Sequence, residues 1–190
     1  IGTRDRGFGR FRTGAIEFDS GPHFPVSSIF EDREGNVWLG MVGGLSRLAD
    51  GLVVTFSKTE GLLDDDVKTV TGDGAGRIWV GTRLGMDTLP AARRLTAEDG
   101  LSSSYVLSAW AARDGSLWVG TAEGLNRVEG KRITTYRVQD GLPSDVVLAL
   151  FEDRRGVVWV GTSAGLGRIV NGKVDPLGRE PLLPAQSIGR

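Results

Sequence analysis

Trp38, Trp79, Trp118 and Trp159 stand 41, 39 and 41 residues apart, and an aliphatic residue and a glycine follow each: Leu39-Gly40, Val80-Gly81, Val119-Gly120 and Val160-Gly161. Three units add a threonine, Thr82, Thr121 or Thr162. Gly35, Gly76, Gly115 and Gly156 lie three residues before the tryptophan, and Gly44, Gly85, Gly124 and Gly165 six residues after it. A period near forty restricts the chain to architectures that repeat one small unit, because a unit of that size cannot bury its own apolar face and must stack on its copies.

The punctuation divides a unit into four short strands. In the last unit Val147, Leu150 and Phe151 mark a first strand, Asp153 to Gly156 a turn, Val157 to Thr162 a second strand, and Gly165-Leu166 the start of a third. Asn171-Gly172, like Asp50-Gly51 and Glu129-Gly130, is a two-residue hairpin signal that returns the chain as a fourth strand, clearest at Ile133 to Tyr136. The first strand alternates poorly. Val26, Val67, Val106 and Val147 hold one place in all units, and Ile29, Val70, Ala109 and Leu150 another three residues on, which predicts burial on both faces. The 29 glycines, about twice ordinary usage, fit frequent tight turns.

Tandem four-stranded antiparallel units of this length describe a β-propeller. The expected fold is all-β, with about five blade-equivalents in a single domain over 1–190: complete units at approximately 21–60, 61–99, 100–140 and 141–180, and one split unit from 1–20 plus 181–190. The split follows from Ile1-Gly2-Thr3, which matches the segment after the tryptophan, and from Leu183-Pro184 to Ile188, which matches Leu142-Pro143 to Val147. Either the C-terminal strand closes a five-bladed ring, or the chain is a piece of a larger one. The four tryptophans and the glycines two residues after them are assigned to structure. A large flat group whose N–H needs a partner suits the layer between blades.

Lys plus Arg number 23 against 24 Asp plus Glu, a net charge of −1, so no basic surplus points to nucleic acid or an anionic membrane surface. There is no run of eighteen apolar residues, no apolar leader and no cysteine, which argues against a transmembrane span, a signal peptide, disulfides and thiolate metal sites within this segment.

Propeller ligands bind where loops converge, since every blade brings a loop to the same axis. The segment ahead of the fixed valine differs among units: Pro22-His23-Phe24-Pro25, Leu63-Asp64-Asp65-Asp66, Ser102-Ser103-Ser104-Tyr105 and Pro143-Ser144-Asp145-Val146. Asp64, Asp65, Tyr105 and Asp145 are therefore the expected polar mouth for a carbohydrate or other small molecule, with solvated turns as the alternative. Trp110 stands in the innermost strand where other units have Phe30, Thr71 and Phe151. It either stacks on a sugar in the channel or fills space between blades. Arg47, Arg127 and Arg168 recur two residues after the leucine of Gly-Leu, with Arg10 near the equivalent place, and are expected to bond a neighbouring blade's acidic turn. Three consecutive aspartates at 64–66 cannot all face one ion, so no metal is expected. With His23 the single histidine, no catalytic set and no cofactor are expected either.

The sequence Asp140-Gly141-Leu142-Pro143-Ser144, then Val147 to Phe151, Asp153 to Gly156, Val158-Trp159-Val160-Gly161-Thr162 and Gly165-Leu166, resembles the two-component regulator propeller repeat. The resemblance recurs four times in register over nearly the whole chain. It departs at Met41 in place of the threonine, Met86 in place of the leucine of Gly-Leu, and Ala112 in place of the aspartate found at Asp32, Asp73 and Asp153. It implies the extracytoplasmic sensor portion of a bacterial hybrid histidine kinase, hence a periplasmic location and a dimeric receptor. Strand exchange with a second copy is another route to a closed ring. The chain lacks a kinase's phosphoacceptor histidine on a helical hairpin and its nucleotide lid, so what the resemblance implies is a non-catalytic ligand-sensing module. The alternatives are a protein-interaction scaffold and a propeller lyase or hydrolase. Antibiotic-lactone lyases with similar repeats rely on histidine and acidic residues from several blades.

Overall fold

The computed structural model describes residues 2–3, 7–12, 15–18, 24–50, 52–90 and 93–175. A hairpin of β1 (Gly9–Arg12) and β2 (Ala15–Phe18) precedes four antiparallel four-stranded sheets. Sheet I holds β3 (Val26–Glu31), β4 (Val37–Met41), β5 (Gly44–Ala49) and β6 (Leu52–Phe56). Sheet II holds β7 (Val67–Gly72), β8 (Ile78–Thr82), β9 (Met86–Leu89) and a two-residue β10 (Arg94–Leu95). Sheet III holds β11 (Val106–Ala111), β12 (Leu117–Thr121), β13 (Gly124–Glu129) and β14 (Arg132–Tyr136). Sheet IV holds β15 (Val147–Glu152), β16 (Val158–Thr162), β17 (Gly165–Val170) and β18 (Lys173–Asp175). Strand order within each sheet follows the chain, and β3, β7, β11 and β15 stand side by side as the inner wall. This is the all-β propeller architecture expected from the repeat. Of the split unit, residues 181–190 lie outside the described residues. Gly2 and Thr3 take the places of Gly120 and Thr121: Gly2 bridges Phe8, and the Thr3 hydroxyl donates to the Gly7 carbonyl at 3.1 Å.

Neighbouring sheets are keyed together by the two most regular features of the repeat. A β-carbon on Gly40 would lie 2.8 Å from Val67 Cγ1, one on Gly81 2.6 Å from Val106 Cγ1, and one on Gly120 2.5 Å from Val147 Cγ1. Gly2 meets Val26 Cγ1 in the same way, at 2.7 Å. The glycine after each tryptophan is thus a socket for the fixed valine of the next sheet. Those valines, Val67, Val106 and Val147, are wholly buried. The tryptophans extend the same layer: Trp38, Trp79 and Trp118 are buried against the following sheet.

Two local readings change. All four first strands carry a β-bulge straight after the fixed valine, at Val26/Ser28, Val67/Thr69, Val106/Ser108 and Val147/Ala149. One extra residue there turns a spacing of three into a same-face pair. Gly40 accordingly faces both Val67 and Val70. The apolar spacing is therefore the mark of a bulge. Burial of both faces holds for β7 and β11, while β3 and β15 have exposed positions along their length. In the third unit the two loop residues are Gly130-Lys131, since Glu129 pairs with Arg132, not Glu129-Gly130 as expected. At Asn171-Gly172 both residues have positive φ, 50° and 72°, as the sequence signal requires.

Candidate functional site

Each sheet has a turn end, where the first strand passes into the second, and a loop end, where the chain enters from the sheet before. At the turn end one aspartate organises the backbone. Asp32 accepts bonds from the amides of Glu34 and Asn36 and from Trp38 Nε1 at 2.8 Å. Asp73 accepts from Ala75, Arg77 and Trp79 Nε1 at 2.9 Å, and Asp153 from Arg155, Val157 and Trp159 Nε1 at 3.2 Å. Desolvation pushes these carboxyls up, but the donated indole and backbone bonds outweigh it and hold all three below the usual carboxylate range. Sheet III has Ala112 at this place. There Asp114, two residues on, accepts from the Ser116 amide and hydroxyl and from Arg127 Nη2 at 2.7 Å, and is likewise held low against its desolvation.

The repeated arginines stack on their own sheet's tryptophan instead of reaching a neighbour's turn. Strand register places Arg47 opposite Trp38, Arg127 opposite Trp118 and Arg168 opposite Trp159. Each guanidinium lies over that ring at 5.5–5.9 Å. Arg127 also pairs with Asp114 and Glu129, and Arg168 with Asp175. Arginines at other places do cross between sheets by hydrogen bonds: Arg33 reaches Gly74 O at 3.1 Å, Arg93 reaches Gly130 O at 2.5 Å, and Arg113 reaches Arg154 O at 3.3 Å. The side chain of Arg10 lies outside the described residues.

At the loop end Asp65 and Asp145 hold the entering turns: Asp65 Oδ1 accepts from the Lys58 amide at 2.7 Å, and Asp145 Oδ1 from the Val138 amide at 2.8 Å. Ser104 does the same for Ala97 in the unit between. Asp64 accepts from the Asp66 amide at 3.4 Å, and Asp66 pairs with Lys68 at 2.8 Å, so the three consecutive carboxylates have separate partners. Tyr105 is exposed, with the Arg83 guanidinium 5.8 Å over its ring. Asp64, Asp65, Tyr105 and Asp145 sit on three different turns, and none of them lines either cavity described next. His23 lies outside the described residues.

Sequence reasoning missed the acids that close these turns. Glu60, Asp99 and Asp140 accept the amides of Ser57, Thr96 and Arg137 at 2.8–2.9 Å. The capping pattern Ser57-x-x-Glu60 was the available signal. Asp87 was missed as well. Its nearly buried carboxylate accepts from the Leu63 amide at 2.6 Å and from Arg94 at 3.1 Å, and burial pushes its pKa above the usual value despite both bonds. Asn126 fills the same place in sheet III.

Cavities open between the sheets, and two of them are lined by described residues. An axial one of about 430 Å³ is walled by the four first strands and includes Lys68, Thr71 and Trp110. Trp110 packs edge-on against Phe151 of the next sheet, centroids 5.5 Å apart, and its buried Nε1 has no hydrogen-bond partner among the described residues. A larger cavity of about 830 Å³ lies at the turn end in the crevice between sheets I and II and reaches sheet III. Phe30, Phe56, Leu89 and Pro90 form apolar wall there, and Arg47 lines it.

Radially stacked four-stranded sheets, keyed by glycine sockets and by indole-capping aspartates, define the protein as a β-propeller. The profile of the two component regulator propeller family matches residues 23–43 and 141–164, which hold the first two strands of sheets I and IV. The fold of the chain is similar to that of an extracellular domain assigned to the hybrid two component system BT3049 of B. thetaiotaomicron, with a TM-score of 0.76 at 24% identity over 89% of this chain. A second extracellular domain from that organism, assigned to the one component system BT4673, aligns with a TM-score of 0.77 at 18% identity over 93% of this chain. The chain spans only 25% and 29% of those two molecules. A catalytically inactive virginiamycin B lyase from Staphylococcus aureus, solved with quinupristin, aligns with a TM-score of 0.70 at 14% identity over 90% of this chain and 63% of the lyase. No curated protein matches the chain.

Proposed function

We propose that this propeller is the non-catalytic input module of a bacterial two-component receptor, working outside the cytoplasm and recognising a carbohydrate or another small molecule. The observation that carries the reading is the family match in two separate repeats, joined to a Trp-x-Gly frame that recurs in all four sheets while the loops differ. Rigid sheets with variable loops are the arrangement expected of a recognition scaffold. At the loop end the exposed Tyr105, with Arg83 over its ring, and Asp64 on the turn that enters the preceding sheet offer an aromatic ring and an acceptor to a sugar. The test is the melting temperature of the whole chain against a panel of neutral and acidic glycans, because a ligand that binds only the folded state must raise it. One glycan should raise it, and Tyr105→Ala should remove the shift. A flat panel would discard carbohydrate sensing.

A scaffold would instead show no small-molecule shift and would retain a protein partner. The lyase reading would require turnover of a lactone or glycan that disappears in His23→Ala.

A further inference from the structure

Of the three arginines at the repeated place across from the tryptophan, Arg47, Arg127 and Arg168, two are neutralised within their own sheet and one is not. Arg127 has Asp114 and Glu129, and Arg168 has Asp175 directly across the strand pair. At Arg47 the residue directly across is Val54, the counterpart of Glu129 is Ala49, and Glu34, the counterpart of Asp114, lies instead near Asn36 at 3.4 Å. Arg47 stacks on Trp38 and has no ion pair or hydrogen bond among the described residues.

The space beside this unpaired cation also lacks a bridge that closes one of its copies. Between sheets III and IV the Tyr136 hydroxyl bridges to the Gly172 carbonyl of the next hairpin at 3.0 Å. Between sheets I and II the same place holds Phe56, which keeps the ring stack on Trp38 but lacks the hydroxyl, and sheet II ends in the two-residue β10. The result is the 830 Å³ crevice, with Arg47 in its lining and an apolar wall around it. The Asp32 and Asp73 carboxylates that also border it are already occupied by indole and turn N–H groups. Glu31 and Glu34 also line it, and of the two other cations in the lining Arg33 donates to the Gly74 carbonyl and Arg113 to the Arg154 carbonyl, so Arg47 is the lining cation with no such bond among the described residues.

We propose that this crevice binds a small organic monocarboxylate, its carboxylate on the terminal nitrogens of Arg47 and its ring or chain against Phe30, Phe56, Leu89 and Pro90. The guanidinium supplies the planar donor geometry that a carboxylate matches, and the apolar wall supplies the rest of the contact. The proposal names a site and a ligand class for the sensing function above and rests on that function for its biological meaning.

Calorimetric titration of the whole chain with sodium benzoate, with D-glucuronate and with neutral benzyl alcohol tests it at low ionic strength. At least one carboxylate should bind, and benzyl alcohol should bind at least about tenfold more weakly. Benzoate against glucuronate tells an apolar body from a hydroxylated one. Two variants assign the site. Arg47→Gln removes the cation, and Val54→Asp places a carboxylate where sheet IV has Asp175, so that Arg47 is neutralised from within. Each should weaken binding by about tenfold or more. Val54 is 48% exposed, so Val54→Asp should melt no lower than the parent. Carboxylate binding unchanged in both variants, or no binding of either carboxylate, overturns the proposal. Glycan-induced stabilisation that persists in both variants would uphold sensing while removing this site from it.

Discussion

At the scale of single residues, the aspartate six places before the tryptophan shows how one carboxylate ties a turn to the inter-sheet layer. Asp73→Ala leaves the buried Trp79 N–H and two turn amides without their acceptor, a loss of roughly 1–3 kcal/mol at neutral pH. Because the folded pKa of Asp73 is depressed, its contribution is complete above the ordinary carboxylate range and is lost as pH falls through the folded value. Urea melts of parent and variant should therefore differ most above about pH 5 and converge below about pH 4. Asp87 has the opposite sign. Its raised folded pKa means that the native state binds the extra proton between the two values, so stability falls as pH rises through that window and the cost is complete at neutrality. Asp87→Asn copies Asn126, whose amide donates to Val119 O at 3.2 Å, and should stabilise by about 1 kcal/mol at pH 7, with the gain vanishing in acid. The lone Arg47 was not legible in the sequence for a physical reason. Its peculiarity is an absence, Val54 where another unit has Asp175, and it emerges only once strand register shows which residues lie across from one another.

At the scale of elements, the Trp-x-Gly beat was readable because it is geometry repeated: a flat ring for the layer and no β-carbon where the next valine enters. This makes the same substitution unequal along the chain. Gly120→Ala would drive a methyl into Val147 and should cost about 1–3 kcal/mol or shift sheet IV on sheet III. Among the described residues Gly161→Ala meets nothing closer than Ala149 of its own sheet, at 3.3 Å, and should cost well under about 1 kcal/mol. Equal costs in chemical denaturation would mean that the valine socket does not couple the sheets. The bulge in each first strand was hidden in the sequence, because spacing alone does not tell an inserted residue from a strand buried on both faces. The shifted hairpin at Gly130-Lys131 was hidden similarly: glycine suits either loop position, and the pairing of Glu129 with Arg132 decides between them. In the candidate loops Asp65 and Asp145 are turn caps, because the amides of Lys58 and Val138 lie seven residues back, a reach invisible to local pattern.

At the scale of the whole molecule, stability in such a stack is a sum over sheets and the interfaces between them, so position in the row matters as much as composition. Sheets II and III are covered on both faces: β8 is buried along its whole length, and so is β12. Sheet IV has the same sequence frame, yet Leu148 and Phe151 are 53% and 54% exposed, and its far face meets no further sheet among the described residues. The edge strand β6 of sheet I exposes Leu52, Val53 and Val54 in succession. Opening free energies should follow that order. Native-state hydrogen exchange should show the slowest amides in β8, β11 and β12, faster exchange in β16 and β17, and the fastest among the paired amides in β6 and β18. Amides in β16 should then slow when a neighbouring unit is supplied, since the deficit is one of covering and not of hydrogen bonding within the sheet. One common exchange rate across all four sheets would instead show that the stack opens as a single unit, and that the Gly–Val keys couple the sheets more strongly than each sheet's own burial distinguishes them.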